Sequence, residues 1–397
     1  MATMKEKTEL VHLGRRPEWT HGIVNPPVYR ASTCLFEDFA AFEHANRNPD
    51  DGLYYGRRGT PTHWSLIEAL VALEKGGGDG WLFPSGLAAL SGTLLALLEA
   101  GDHLLVPDSV YGPTRHFTSR ILPRYGIETS FYDPLAGDRI VDDFRKNTKL
   151  VLVESPGSLT FEVQDLPAIA RVARARGAMV VADNTWAAGG LLCPVLELGA
   201  DVSVHACTKY VVGHSDAMLG AAVARPQLAA RLKAHIFATG WTASPDDAWL
   251  ALRGLRTLDV RLKRHEAQAL EIARWLEDRP EVAHVLHPAM PSCPGHEIFV
   301  RDFRGACGLF GVVLKRGGYR DLAALVDGMK LFRMGFSWGG FESLILPADP
   351  TPIRTVRPWR AQGPLVRLHI GLEDTDDLKE DLAAALERYE ASLSGVS

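Results

Sequence analysis

A lysine and an aspartate follow two apolar segments of this chain, and both residue types can do chemistry there. Lys209 comes late in the β-rich run Ala200–Gly213, and Asp183 ends the apolar run Ala178–Ala182. A desolvated lysine amine can form a Schiff base with an aldehyde cofactor, and an aspartate can hold the protonated ring nitrogen of pyridoxal phosphate. Taken singly, each is better explained as a lysine reaching solvent or an aspartate capping a turn. Together they predict a pyridoxal phosphate site, provided that other cofactor-binding residues accompany them.

The segment Pro84–Leu87 is suited to a phosphate group. It follows the strand-like Trp81–Phe83 and begins a predicted helix over Ser85–Glu99, whose first residue can cap it. Amides in the first turn of a helix bind anions, and Gly86 permits close approach. The hydroxyl of Thr208, next to the lysine, could donate to the same phosphate. Considered alone, the segment is better explained as a capped turn without a ligand.

Further polar and aromatic residues lie in short motifs, each with two interpretations. Tyr111, in VPDSVYGPT, could stack on a flat cofactor ring or pack on the surface. Arg367, in the apolar LVRLHIG, could bind a substrate carboxylate or form an internal salt bridge. Trp338, in SWGGFES, could line a ligand site or belong to the core. Tyr55 and Arg57 could bind phosphate or carboxylate, or form a solvated basic turn.

The composition favours a globular protein that acts on a small molecule. The 397 residues carry a net charge of −5, and no basic stripe predicts nucleic-acid binding. The charged start lacks the apolar core of a signal peptide, and the apolar stretch Gly86–Leu98 is shorter than the ~20 residues of a membrane helix. Five widely spaced cysteines without a CxxC pair argue against a disulfide framework or a zinc cluster and favour a cytoplasmic location. His205 and His214 form no helical metal motif, so no metal is predicted.

The pattern of strands and helices predicts an α/β fold with two domains and an arm. Residues 1–59 are predicted to be an irregular arm without its own core, lying on another surface such as a neighbouring subunit. Residues 60–245 alternate apolar strands with helices, which predicts a mainly parallel sheet with helices on both faces. Residues 246–397 begin within a long helical region, Ser244–Asp278, and end in an amphipathic helix, Thr375–Leu393, as expected of a smaller α+β domain.

Together these segments resemble the Cys/Met-metabolism family of pyridoxal-phosphate enzymes, over nearly the whole chain. The resemblance implies fold type I, with a mainly parallel seven-stranded sheet, a smaller C-terminal domain and an N-terminal arm. Several long motifs in the right order carry it: YGRRGTPTH at Tyr55–His63, PSGLAAL at Pro84–Leu90, VYGPT at Val110–Thr114, DNTW at Asp183–Trp186, TKYVVGHSDAM at Thr208–Met218 and RLHIGLED at Arg367–Asp374.

The resemblance also implies roles for individual residues in holding the cofactor. Lys209 matches the lysine that carries the cofactor, Asp183 the partner of the ring nitrogen, and Tyr111 the tyrosine that stacks on the ring. The matches to phosphate contacts within the same chain are Gly86, Leu87 and Thr208.

Four further matches concern the neighbouring subunit and the substrate. Tyr55 and Arg57 match a pair that reaches the phosphate from the neighbouring subunit, which implies active sites shared within dimers and a homotetramer built from two such dimers. Ser337 and Arg367 match contacts to the lysine or the substrate carboxylate. Ala206 departs from the serine of many relatives, so one phosphate hydrogen bond is expected to be missing or replaced by water.

The reaction is not fixed by the fold, because relatives catalyse γ-synthesis, γ-elimination or β-elimination. Trp338 is typical of the family's bacterial cystathionine β-lyases, whereas its γ-acting members often carry a smaller aliphatic residue there. The resemblance therefore implies β-elimination of L-cystathionine to homocysteine, pyruvate and ammonia. The alternatives are a cystathionine γ-synthase or γ-lyase, a broad cysteine-S-conjugate β-lyase, and a non-catalytic cofactor-binding or scaffold protein.

Overall fold

The computed structural model describes residues 5–395. Two β-sheets with helices packed against them make up the fold. Within that range, no helix is both long enough and apolar enough to span a membrane. The α-helices of that range are α1 (Glu6–His12), α2 (Pro17–Thr20), α3 (Phe39–Arg47), α4 (Pro61–Leu73), α5 (Gly86–Leu97), α6 (Gly112–His116), α7 (Leu166–Ala175), α8 (Pro226–Thr239), α9 (Pro245–Leu255), α10 (Leu258–Glu277), α11 (His296–Asp302), α12 (Leu322–Val326) and α13 (Thr375–Leu393).

The larger sheet has seven strands in the order β1-β7-β6-β5-β4-β2-β3. β7 runs opposite to the other six strands, so the sheet is mainly parallel, as the sequence predicts. Its strands are β1 (Asp79–Phe83), β2 (His103–Pro107), β3 (Glu128–Tyr132), β4 (Thr148–Glu154), β5 (Met179–Asp183), β6 (Val202–Ala206) and β7 (Gly220–Ala224).

Apolar side chains cover both faces of this sheet, which explains why its strands are nearly continuous apolar runs. In β4, Leu150 and Leu152 pack in the cluster that contains the buried face of α5. Val151 and Val153, which point the other way, pack in the cluster that contains α4 and α7. Helices on both faces are therefore confirmed.

The smaller sheet has five strands in the order β10-β11-β12-β9-β8. Helices α10, α12 and α13 share a core with it. Its strands are β8 (Val282–Leu286), β9 (Leu309–Leu314), β10 (Arg333–Met334), β11 (Leu344–Ala348) and β12 (Leu365–His369). The predicted helical region Ser244–Asp278 is two helices, α9 and α10. The domain limits at residues 59 and 245 stay a prediction.

The N-terminal arm is more regular than expected, because α1, α2 and α3 lie within it. Its first half docks on its own chain rather than only on another surface. Leu10 is buried in the main core, and Arg16 forms an ion pair with Glu68 of α4. The second half is different, since Leu35 and Phe39 expose 92% and 72% of their surface.

A buried carboxylate joins the larger sheet to the segment between β11 and β12. Asp108, the residue after β2, accepts hydrogen bonds from the backbone amides of Thr355, Val356 and Arg357. It also forms an ion pair with Arg115. These bonds hold the pKa of Asp108 below its usual value, although burial opposes them. The loop that leads to Tyr111 is thereby fixed to a segment of the smaller domain.

Candidate active site

The predicted cofactor residues meet at one edge of the larger sheet. β1, β2, β4, β5 and β6 run parallel, so their carboxyl ends lie at the same edge. Gly86 follows β1, Tyr111 follows β2, Asp183 ends β5 and Lys209 follows β6. The carboxyl edge of an open parallel sheet is where α/β proteins bind ligands.

The amine of Lys209 points at the smaller domain, where its Nζ donates a hydrogen bond of 2.6 Å to Ser337 Oγ. Burial and the nearby Arg367 cation lower the pKa of Lys209 to about 8, and the Asp183 charge opposes them. A lysine with such a pKa is partly neutral at physiological pH. It can therefore act as a nucleophile and, after release, as a base.

Asp183 lies at the bottom of the site with one carboxylate oxygen occupied. Its Oδ1 accepts hydrogen bonds from the amide and the hydroxyl of Thr185, at 3.1 and 2.6 Å. Burial raises the pKa of Asp183, and the Thr185 bonds limit this rise. The bonds fix the orientation of the carboxylate, and a cationic ring nitrogen would offset the cost of burying it.

The first turn of α5 forms an anion-binding cradle. The amides of Gly86 and Leu87 have no intrahelical acceptor, whereas Ser85 Oγ caps the helix by accepting from Ala88. A Cβ atom at Gly86 would lie 2.4 Å from the Cβ of Ala206, so only glycine permits this approach of helix and strand.

The hydroxyl of Thr208 is already engaged, because it bonds to the carbonyl of Leu219 at 3.2 Å and accepts from the amide of Leu219 at 2.9 Å. The amide of Thr208 donates to the same carbonyl. The hydroxyl proton can therefore turn to a phosphate without leaving that carbonyl unpaired.

Tyr111 exposes 47% of its surface at the mouth of the site. Its amide donates to Glu154 Oε2 at 2.8 Å, which anchors the residue to the end of β4. Burial and the Glu154 charge raise the pKa of the Tyr111 hydroxyl, and the Arg367 charge opposes them. The ring and Arg367 are thus close enough to interact across the site.

The smaller domain supplies the opposite wall of the site. Arg367 of β12 donates to the carbonyl of Ser337 at 3.0 Å, and burial lowers the pKa of its guanidinium to about 10. Trp338 is half-buried, with its ring 5.5 Å from that of Tyr210 and 5.3 Å from Lys209 Nζ. Trp338 therefore packs on the core and also faces the lysine, and its contact with a substrate stays a prediction.

Tyr55 and Arg57 are not brought to this site by their own chain. Tyr55 is 43% exposed, and Arg57 donates to the carbonyl of Phe237 in α8. Among residues 5–395, neither makes a hydrogen bond, ion pair or ring contact with Lys209 or Asp183. A contact with the cofactor of their own chain is therefore not supported.

The residues present fit pyridoxal phosphate. A lysine amine of lowered pKa, a buried carboxylate with one oxygen engaged, and two helix amides that have no acceptor among residues 5–395 lie at one sheet edge. These are the groups that bind an aldehyde, a pyridine nitrogen and a phosphate. A family model described as Cys/Met metabolism PLP-dependent enzyme matches residues 7–387.

The chain belongs to this Cys/Met metabolism family. Its cofactor is pyridoxal phosphate, and the fold is that of fold type I.

Individual relatives extend this finding. The cystathionine beta-lyase MetC of Escherichia coli K12 is 47% identical over 395 residues, which cover 98% of this chain and 100% of that protein. The L-alanine/L-glutamate racemase of Wolbachia pipientis wMel is 41% identical over 397 residues, covering 97% and 98%. A crystal structure of cystathionine gamma synthase from Xanthomonas oryzae, in complex with aminoacrylate and cysteine, matches with a TM-score of 0.89 and 34% identity over 98% and 100%.

The sequence analysis missed two residues that shape this site. Glu154 ends β4 beside Asp183, and burial together with that charge raises its pKa well above the usual value. Thr185 orients Asp183 and also accepts from the amide of Ala206. Glu154 carries the same sequence signal as Asp183, an acidic residue that ends an apolar strand, and could have been found by it.

Proposed function

We propose that this enzyme cleaves L-cystathionine by β-elimination and, with one water consumed, gives homocysteine, pyruvate and ammonia. The observation that carries the proposal is Trp338, whose ring lies 5.3 Å from Lys209 Nζ, beside Ser337 and Arg367. A wide ring at that point restricts how a long amino acid lies over the cofactor and favours reaction at Cβ over reaction at Cγ. The 47% identity to a cystathionine beta-lyase, against 34% to a cystathionine gamma synthase, supports the same choice.

The side chains divide the chemistry among themselves. Arg367 binds the substrate carboxylate and so fixes the direction of the Cα–H bond. Lys209, as a free amine, would take the Cα proton, with help from the Tyr111 hydroxyl. Bound pyridoxal phosphate supplies an electron sink for this step, and Asp183 keeps its ring nitrogen protonated. Lys209 then delivers a proton to the leaving sulfur.

Product identity tests the proposal directly. Purified holoenzyme is incubated with L-cystathionine, and the keto acid is identified by chromatography against standards. Pyruvate with an equimolar thiol is expected, whereas 2-oxobutyrate would indicate γ-elimination and overturn the proposal. S-substituted cysteines as second substrates separate a cystathionine lyase from a broad cysteine-S-conjugate lyase, because only the latter turns them over equally well.

We also propose a cytoplasmic homotetramer built from two site-sharing dimers. Tyr55 and Arg57 are exposed and contact no residue of their own chain's Lys209 site within residues 5–395, which leaves them available to a neighbour. Leu35 and Phe39 of the same arm expose apolar surface that a neighbour would cover. Five free cysteines support a reducing compartment.

A further inference from the structure

The segment of residues 337–342 forms the substrate wall of the site. A buried histidine of the smaller domain contacts this wall with both of its ring nitrogens. His369 ends β12, two positions beyond Arg367, so both side chains lie on the same face of the strand. Only 1% of its surface is exposed. Its Nδ1 lies 3.1 Å from the carbonyl oxygen of Glu342, and its Nε2 lies 3.0 Å from the amide of Gly339.

These two partners determine the protonation state of His369. A carbonyl oxygen only accepts hydrogen bonds, so Nδ1 must carry the proton. A backbone amide only donates, so Nε2 must offer its lone pair to Gly339. The neutral Nδ1–H form satisfies both bonds. In an imidazolium, Nε2 would also carry a proton, and this N–H would face the N–H of Gly339 without an acceptor between them. Burial and the neighbouring His265 lower the pKa of His369 well below its usual value, which agrees with this assignment.

The turn that His369 holds is packed directly against the lysine. A Cβ atom on Gly339 would lie 2.8 Å from the amide nitrogen of Tyr210 and 3.0 Å from the Cα of Lys209. Gly339 has a φ of +91° and Ser337 has a φ of +82°, a region that serine adopts only when its surroundings compel it. Two bonds from β12 therefore flank Trp338: Arg367 binds the carbonyl before it, and His369 binds the amide after it.

We propose that His369 is a positioning residue for the substrate wall. It holds the turn of residues 339–342 to β12, and thereby keeps Ser337 and Trp338 beside Lys209. The proposal rests on the proposed function in so far as Trp338 and Arg367 contact the substrate. Loss of the Gly339 bond should free the wall and weaken substrate binding more than it slows the chemical steps.

Two substitutions separate the two bonds of the ring. In His369→Gln, the amide oxygen reaches the position of Nε2 and can still accept from Gly339. In His369→Asn, the shorter amide reaches only the position of Nδ1, so the bond to Gly339 is lost. His265→Asn is the matched control, because His265 is also fully buried, its ring lies 5.3 Å from that of His369, and its Nδ1 bonds to the carbonyl of Ile370 rather than to the turn.

The expected result is a rise in KM of about tenfold for His369→Asn, with kcat changed by less than about threefold, and recovery to near the wild-type KM in His369→Gln. Hydrogen exchange measured by mass spectrometry gives a readout without turnover. Peptides covering residues 336–342 should exchange about fivefold faster in His369→Asn, but not in His369→Gln or His265→Asn.

Equal KM values in both His369 variants and the His265 control would overturn the proposal and leave His369 as a core residue. If His369→Asn does not fold, His369→Leu, which also removes the bond to Gly339, replaces it: a higher KM and faster exchange than in His369→Gln support the proposal, and values equal to those of His369→Gln overturn it. A wild-type enzyme that forms no pyruvate contradicts the proposed function instead, and the exchange measurement still tests His369.

Discussion

The two walls of the active site are built in different ways. On the cofactor side, Lys209, Asp183 and Gly86 follow directly from the ends of parallel strands, and the sheet sets their spacing. On the substrate side, Ser337 and Trp338 lie in an irregular segment with positive φ angles, held to β12 by side chains. The cofactor wall is therefore rigid by its fold, whereas the substrate wall depends on a few individual hydrogen bonds.

Because of this difference, the cofactor wall determines the basic chemistry and the substrate wall determines the specificity. A sheet edge changes little when single residues change, so the cofactor and its basic reactions can persist through a family. A wall held by a few bonds can be altered by one or two substitutions. Relatives of this chain named beta-lyase, racemase and gamma synthase match it over nearly its full length. This agrees with a cofactor wall that the relatives share and a substrate wall that varies among them.

The largest expected effect is on the cofactor wall, in Lys209→Ala. The wild-type holoenzyme should be yellow, and the variant should lose the visible absorbance band and about 10⁴-fold in kcat, because the group that carries the cofactor and moves the proton is absent. Absorbance spectra and keto-acid release measure both effects. A wild-type protein that stays colourless after pyridoxal phosphate is added would remove the assignment of the whole wall.

Asp183→Asn should come next, with kcat lowered about 100-fold, since the ring nitrogen loses its anionic partner while the side-chain shape is kept. Glu154→Gln is the matched control, because Glu154 pairs with Asp183 across neighbouring strands and is also a carboxylate of raised pKa. Equal losses in the two variants would assign the effect to the local charge of the strand ends rather than to the ring nitrogen.

On the substrate wall, Trp338→Leu should lower pyruvate formation from cystathionine about tenfold, because the smaller side chain no longer restricts the substrate to the orientation that reacts at Cβ. Trp275→Leu is the control, because Trp275 packs against the core of the smaller domain. Both variants should lose stability, on the order of 2–4 kcal/mol. Unchanged turnover per folded molecule in Trp338→Leu would make this residue a core residue only and remove the main reason for preferring β-elimination.

A smaller effect tests whether the N-terminal arm of a neighbouring subunit completes the cofactor wall. Inactive Arg57→Ala chains are mixed with inactive Lys209→Ala chains under conditions that exchange subunits. One site in each mixed dimer regains both residues, so about a quarter of all sites should recover activity after random exchange. Mixed dimers that are verified by mass spectrometry and remain inactive would refute site sharing.

The smallest effect concerns the stability of the apoenzyme. Burial raises the pKa of Asp183. The folded chain then binds this proton more tightly than the unfolded chain, so stability falls as pH rises from the unfolded pKa to the raised one. At pH 7 the ionised carboxylate is a cost, and apo Asp183→Asn should melt higher, by on the order of 2 °C. The measured quantity is the melting temperature of the variant minus that of the wild type. This difference should be larger at pH 7 than at pH 4, and a smaller difference at pH 7 would contradict the argument.

The same difference explains what the sequence predicts well. The apolar runs that end in Asp183 and before Lys209 are short and rich in Val and Ala, as buried parallel strands are, so the parallel sheet and the meeting of these residues follow from general rules. The Ser337–Glu342 segment has no periodicity, and its bonds to His369 and Arg367 depend on tertiary packing. The docking of Leu10 and Arg16 on α4 was missed for the same reason, because short helices without a core give little sequence signal.

The carboxylate of Asp108 links this site to the order in which the chain folds. Its partners at Thr355, Val356 and Arg357 lie 247 to 249 residues further along the chain. Contacts between such distant positions form late, because the entropy of closing the intervening loop is lost before the bonds are gained. The bonds that fix the loop leading to Tyr111 to the smaller domain can form only after the chain has been made as far as Arg357. A newly made chain would thus complete its larger sheet before it could complete its active site.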